Sequence, residues 1–217
     1  MIEWLVLVLL IPAILVPVVL LFAFAGCDVF FGLERLPEDV PVFEPAFNAA
    51  FDGTDRDRKN RTLVVRIEPN IRLSRSGNLV RLTLARPMEG ELLIRRLHVS
   101  QAADAGDPYD AAGDLTEVIS DALALVADPN GSSVVLDPFP YNLDHTKALL
   151  LAFDIGNAGN VRAESIPAEQ ARSYASAVQD PAIHEASLFD RQAGYAIESR
   201  LYIVEQIEVA QVADADA

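Results

Sequence analysis

The densest group of chemistry-bearing side chains is the acidic loop Asp104-Ala-Gly-Asp-Pro-Tyr-Asp110, with Asp114 and Glu117 beyond it. Calcium takes roughly six to eight oxygen ligands, and aspartates spaced around a glycine turn supply them. Asp104, Asp107, Asp110 and Asp114 are therefore the candidate calcium ligands, and calcium is the one cofactor the sequence suggests. The spacing departs from an EF-hand loop, because the glycine and the closing glutamate fall at other positions. Such loops also form Asx-turns, in which the carboxylates cap backbone N–H groups. His98, His145 and His184 are scattered, with no H-x-x-x-H pair and no neighbouring cysteine, so zinc is not expected. There is no G-x-S-x-G elbow, phosphate-binding loop or dinucleotide fingerprint. Catalysis would need one of the histidines beside a nucleophile in a cleft. Nothing local points to that, and the chain reads as a non-enzyme.

The chain has 217 residues and a net charge of −15, unevenly spread. Residues 55–96 hold eleven Lys/Arg against five acids, and residues 97–217 hold five against twenty. So acidic a chain is a poor nucleic-acid partner, since phosphate contacts need clustered cations. The basic stretch has two readings. Arg66, Arg72, Arg81 and Arg86 decorate solvent faces of strands and pair with acids from the C-terminal half. Alternatively, Arg66, Arg81, Arg95 and Arg96 form a face for an acidic protein partner.

From Trp4 to Gly26 no residue is charged. A helix of this length, rising about 1.5 Å per residue, spans a hydrocarbon core of about 30 Å, and Pro12 and Pro17 are tolerated in such helices. Residues 1–27 are a hydrophobic membrane anchor or a lipoprotein signal, with a plain cleaved signal as a third option. Phe24-Ala-Gly-Cys27 resembles the bacterial lipobox, in which small residues precede a cysteine that is lipidated and becomes the mature N-terminus. The resemblance makes Cys27 the lipidation candidate. Phe24 departs from the aliphatic residue usual there, and Met1-Ile-Glu3 lacks the positive start of a signal peptide. Cys27 is the only cysteine, which excludes an intrachain disulfide.

The elements that must position these residues are mostly strands. Residues 28–60 form a linker, with three prolines between Leu36 and Pro45 favouring extended chain. Its aromatics, Phe43, Phe47 and Phe51 among them, have either the membrane surface or the domain to rest on. Residues 61–209 form the domain. Asn78–Ala85 alternates cleanly, with Val80, Leu82 and Leu84 on one face. Thr62–Glu68, Glu91–Val99, Ser132–Leu136, Lys147–Asp154 and the long run Ile197–Val209 are further strands. Leu115–Ala127 has mixed periodicity and reads as a helix. So does Ile166–Gln179, with Ser165 as N-cap and Pro167 in its first turn. Residues 210–217 are an acidic tail. Strands at this spacing give a mainly β chain, a jelly-roll-like antiparallel β-sandwich preceded by one N-terminal transmembrane or signal helix.

Leu97-His-Val-Ser-Gln-Ala-Ala-Asp-Ala-Gly-Asp-Pro-Tyr-Asp110, then Leu143–Ile155 with Asn160-Val-Arg162, then Arg200–Glu208, together resemble a β-sandwich accessory module. Such modules occur in bacteriophage structural proteins and beside secreted SGNH-type esterases and lectin-like domains. The resemblance covers about residues 62–209. It implies a sandwich used in binding or particle architecture, and it turns Arg172–Val178 into a strand. The esterase motif is absent, so no catalytic residue carries over. The expectation is a membrane-anchored structural component of an envelope or virion-like particle, its domain outside the cytoplasm or on a particle surface. The lipid bilayer is its first partner, and a protein partner or self-association its second. The alternative is a surface-exposed module that binds a glycan or a protein, with calcium assisting.

Overall fold

In a computed structural model of the chain the described residues are 40–56, 58–128, 130–158, 160–167, 169–175 and 196–212. The apolar segment, Cys27 and His184 lie outside them. Among the described residues no helix is long and apolar enough to cross a membrane. The strands are β1 (Glu44–Asn48), β2 (Gly53–Asp55), β3 (Arg61–Ile67), β4 (Gly77–Ala85), β5 (Glu91–Gln101), β6 (Thr116–Ile119), β7 (Leu123–Val126) and β8 (Ser133–Val135). They continue as β9 (Phe139–Leu143), β10 (Leu149–Ala158), β11 (Val161–Ser165), β12 (Ala171–Ala175), β13 (Ile197–Glu198), β14 (Arg200–Tyr202) and β15 (Val204–Ala210).

Three antiparallel sheets result. A five-stranded sheet runs β1-β15-β4 and ends on β8 and β9, which share one edge of β4. A seven-stranded sheet runs β13-β12-β3-β10-β5 and ends on β6 and β7. A small sheet runs β14-β11-β2. The two larger sheets contribute to one apolar core, which makes the architecture sandwich-like. Val80, Leu82 and Leu84 of β4 enter it from one sheet, and Leu63, Val65 and Ile67 of β3 from the other. The alternation read in Asn78–Ala85 is thus the core-facing period of two.

β10 follows a different rule. Leu149, Leu151 and Phe153 face the shared core. Leu150 and Ala152 face the opposite side, where Val64, Tyr109 and Tyr174 complete a second apolar cluster. A strand buried on both faces has no polar side to alternate with, hence its unbroken apolar sequence.

Neither helix expected from sequence appears among the described residues, where both segments form strands. β6 and β7 occupy the 115–127 stretch and pair with β5. Ser165 ends β11 rather than capping a helix, and β12 pairs with β3. The available edges of β3 and β5 decide these segments, because short segments with mixed periodicity carry too weak a helical preference to resist pairing. The stretch expected as linker also changes. β1 and β2 fall within residues 28–60, and Ala46 and Phe47 are buried in the core. Phe43, Phe47 and Phe51 rest on the domain, with the guanidinium carbons of Arg81, Arg72 and Arg162 at 4.2, 5.2 and 5.2 Å from their ring centroids.

The run Ile197–Val209 is broken into β13, β14 and β15. Between β14 and β15 the chain leaves the small sheet for the five-stranded one, and the passage is made at Ile203, which is buried with φ +65°. A β-branched residue in left-handed backbone is strained, so the surrounding packing holds it there. Gly77, at the start of β4, solves another close approach. A Cβ there would stand 2.7 Å from the Val209 Cβ and 2.8 Å from the Ala210 carbonyl oxygen.

Candidate functional site

The acidic loop is organised by its own aspartates. Asp107 Oδ1 accepts the Tyr109 N–H at 3.0 Å, and Asp110 Oδ2 accepts the Asp107 N–H at 2.9 Å. Gly106, at φ +106°, supplies the turn. The result seats the buried Tyr109 edge-on against Tyr174, with ring centroids 4.8 Å apart. Asp104 points to solvent 3.7 Å from Lys147 Nζ. Asp114 belongs to a separate place: it accepts hydrogen bonds from the Ser100 hydroxyl, from the Gln101 N–H at 3.1 Å and from the Tyr141 hydroxyl at 2.7 Å. Burial and that last bond push the Tyr141 hydroxyl well above its usual range. The four expected calcium carboxylates thus stand in different settings. Among the described residues no group of three or more His, Cys, Asp or Glu gathers at metal-binding spacing.

The arginines are largely engaged. Arg72 grips Glu164 with both terminal nitrogens at 3.0 Å and also donates to the Asn48 carbonyl at 2.7 Å. Arg81 pairs with Glu208 at 2.8 Å. These two meet acids of the C-terminal half, as the charge distribution suggests. Arg66 instead pairs with Glu68, two residues on, which Arg172 shares. Arg86 donates to the Val126 carbonyl at 3.3 Å. Arg95 and Gly156 sit where the β5–β10 register slips, and the Arg95 side chain lies across the glycine. Arg96 stands 3.9 Å from Glu117, which also lies 3.7 Å from His98.

Titratable groups also converge at a place that sequence reading missed. Arg58 Nη2 lies 2.6 Å from Asp55 Oδ2, 2.7 Å from Glu198 Oε2 and 2.7 Å from the Tyr202 hydroxyl. Arg200 approaches Asp55 at 3.5 Å. Burial by itself raises the Asp55 carboxyl. The hydrogen bond and charge of Arg58, with Tyr202 and Arg200, outweigh it and hold the group below its usual range. Burial and the bond to Glu198 push the Tyr202 hydroxyl upward, against the opposing charge of Arg58. Two cations meet two carboxylates here, so the cluster is internally balanced and ties residues 55–58 to the 198–202 segment. Its members lie some 140 residues apart, and no local motif could have announced them.

One histidine does stand beside a hydroxyl at a concavity. The Ser76 hydroxyl is 2.8 Å from His145 Nδ1 and accepts the His145 N–H at 3.0 Å. Asp144 Oδ1 accepts the Thr146 N–H at 2.9 Å and the Thr146 hydroxyl at 2.7 Å. Those bonds hold the Asp144 carboxyl below its usual range. Among the described residues no carboxylate hydrogen-bonds the imidazole as the orienting third group of a nucleophilic triad would. The adjoining depression, about 290 Å³, is lined by Ser76, Asn78, Asn142, Leu143, Asp144 and Gln211.

No protein-family model and no curated protein sequence matches this chain.

Proposed function

We propose that the chain is a membrane-anchored structural component of an envelope or virion-like particle. Its domain, a jelly-roll-like sandwich, serves there as a rigid block outside the cytoplasm or on the particle surface. The observation that carries this reading is how residues 41–56 and Arg58, which follow the anchor segment after residues 28–40, are fastened to strands far along the chain. Phe43 lies under Arg81, the Ala50 N–H is held by Glu164 at 2.8 Å, Arg72 clamps Glu164, and Arg58 joins Glu198 and Tyr202. A load entering from the N-terminus is thereby spread over several strands. The polar clusters favour the same reading, since their charged groups serve as cross-links between segments.

The test is cross-linking in intact native membranes or particles, followed by detergent extraction and sedimentation. The full chain is expected to sediment as a defined assembly. A chain that remains monomeric under cross-linking overturns the reading. Intact mass separates the two anchors: retained Met1 with unmodified Cys27 means a permanent helix, and a lipidated N-terminal Cys27 means a lipoprotein. A second reading, a surface-exposed binding module, is favoured by the polar depression beside Ser76 and His145.

A further inference from the structure

We propose that this depression, at the Gly77 end of the five-stranded sheet, binds a neutral polyhydroxylated ligand, a single sugar unit. The inference rests on the binding-module reading and specifies its ligand. Three segments converge on the depression: the start of β4, the end of β9 and the residue following β15. They come this close because Gly77 has no side chain to meet Val209 and Ala210.

The walls are fixed before any ligand arrives. Ser76 is locked to His145. The Asn78 amide pairs in both directions with the Val212 backbone, at 2.7 and 2.8 Å. Asp144 is held by Thr146. Preorganised groups lose little freedom on binding. Between these walls, the amides of Asn142 and Gln211 are exposed and engage no partner among the described residues. An amide offers both a donor and an acceptor, and a carboxylate accepts strongly. That combination complements adjacent hydroxyl groups, each of which both donates and accepts. No Lys or Arg lines the depression, and the Asp144 carboxylate disfavours an anion. The depression, about 290 Å³ and open to solvent, has room for one ring lying against these walls.

The test uses the full chain in detergent or nanodiscs, applied to a glycan array, with titration calorimetry on the sugars it retains. Asn142→Ala, Gln211→Ala and the double variant are compared with the parent chain. Both side chains are exposed, so the variants should melt at the parent temperature. The expected result is retention of at least one sugar class, weakened about tenfold or more in the double variant. Sugar binding that survives the double variant overturns this site but keeps the binding-module reading. If the parent chain retains no sugar, the proposal falls. The assembly reading, tested by sedimentation, is unaffected by either result.

Discussion

Arg58 meets Tyr202 twice. Its guanidinium carbon lies 4.8 Å from the centre of the phenol ring, and its Nη2 lies 2.7 Å from the hydroxyl. The same nitrogen reaches Asp55 and Glu198, so a single side chain, 9% exposed, bridges two carboxylates and orients a buried phenol.

Removing that arginine should destabilise strongly. Arg58→Met leaves Glu198 without its cation and Asp55 with only the longer contact to Arg200, and a broken ion cluster of this burial costs about 3 kcal/mol. Tyr202→Phe removes only hydrogen bonds, though to charged partners, and should cost about 2 kcal/mol. Urea unfolding measures both. In the triple variant Arg58→Met/Asp55→Asn/Glu198→Gln, part of the stability should return, because the uncompensated charges are gone. A triple variant as unstable as Arg58→Met would mean that packing, not charge, is what Arg58 contributes.

The same groups set the pH range of stability. Asp55 holds its proton more weakly when folded than its ordinary value of 3.8. Its contribution is therefore present above about pH 4 and lost as pH falls through the folded value. Tyr202 and Tyr141 are raised above their ordinary 10.0 by burial, aided by Glu198 and Asp114. Their contribution is complete below about pH 10 and lost as pH climbs through the folded values. Urea midpoints should decline on both sides of that window. In Tyr141→Phe/Tyr202→Phe the alkaline decline should shrink, and an unchanged alkaline limb would remove the two phenols from the account.

Ile203 offers a test of backbone strain. In an ordinary strand, glycine destabilises more than alanine. At φ +65° the order should reverse. Ile203→Ala and Ile203→Gly both lose a buried side chain, but only glycine relieves the left-handed strain. Ile203→Gly should therefore be the more stable of the two by about 1 kcal/mol. Thermal melts decide it, and the usual strand order would show the site to be unstrained.

The acidic loop predicts a calcium response near zero. Asp107 and Asp110 already cap backbone N–H groups, and Asp114 holds Tyr141. Melting in 1 mM calcium and in chelator should coincide. A site with Kd near 10 µM would instead add about 2.7 kcal/mol at that concentration. A rise of several degrees would instead support Asp104, Asp107, Asp110 and Asp114 as ligands.

Strand character was legible in the sequence wherever burial was one-sided or complete. Val80, Leu82 and Leu84 alternate because one face of β4 meets the core, and Leu149–Phe153 runs apolar because β10 is covered on both faces. Such patterns are local, and the period of the side chains carries them. The charge imbalance between residues 55–96 and the C-terminal half likewise anticipated Arg72–Glu164 and Arg81–Glu208. What only the tertiary structure decided was pairing. β12 and β7 became strands because β3 and β5 offered open edges. The segment bearing Phe43, Phe47 and Phe51 became part of the domain because Arg81, Arg72 and Arg162 come to lie on its rings. Asp55, Arg58, Glu198 and Tyr202 meet across a sequence separation that no local preference spans, so their chemistry exists only once the sheets have closed.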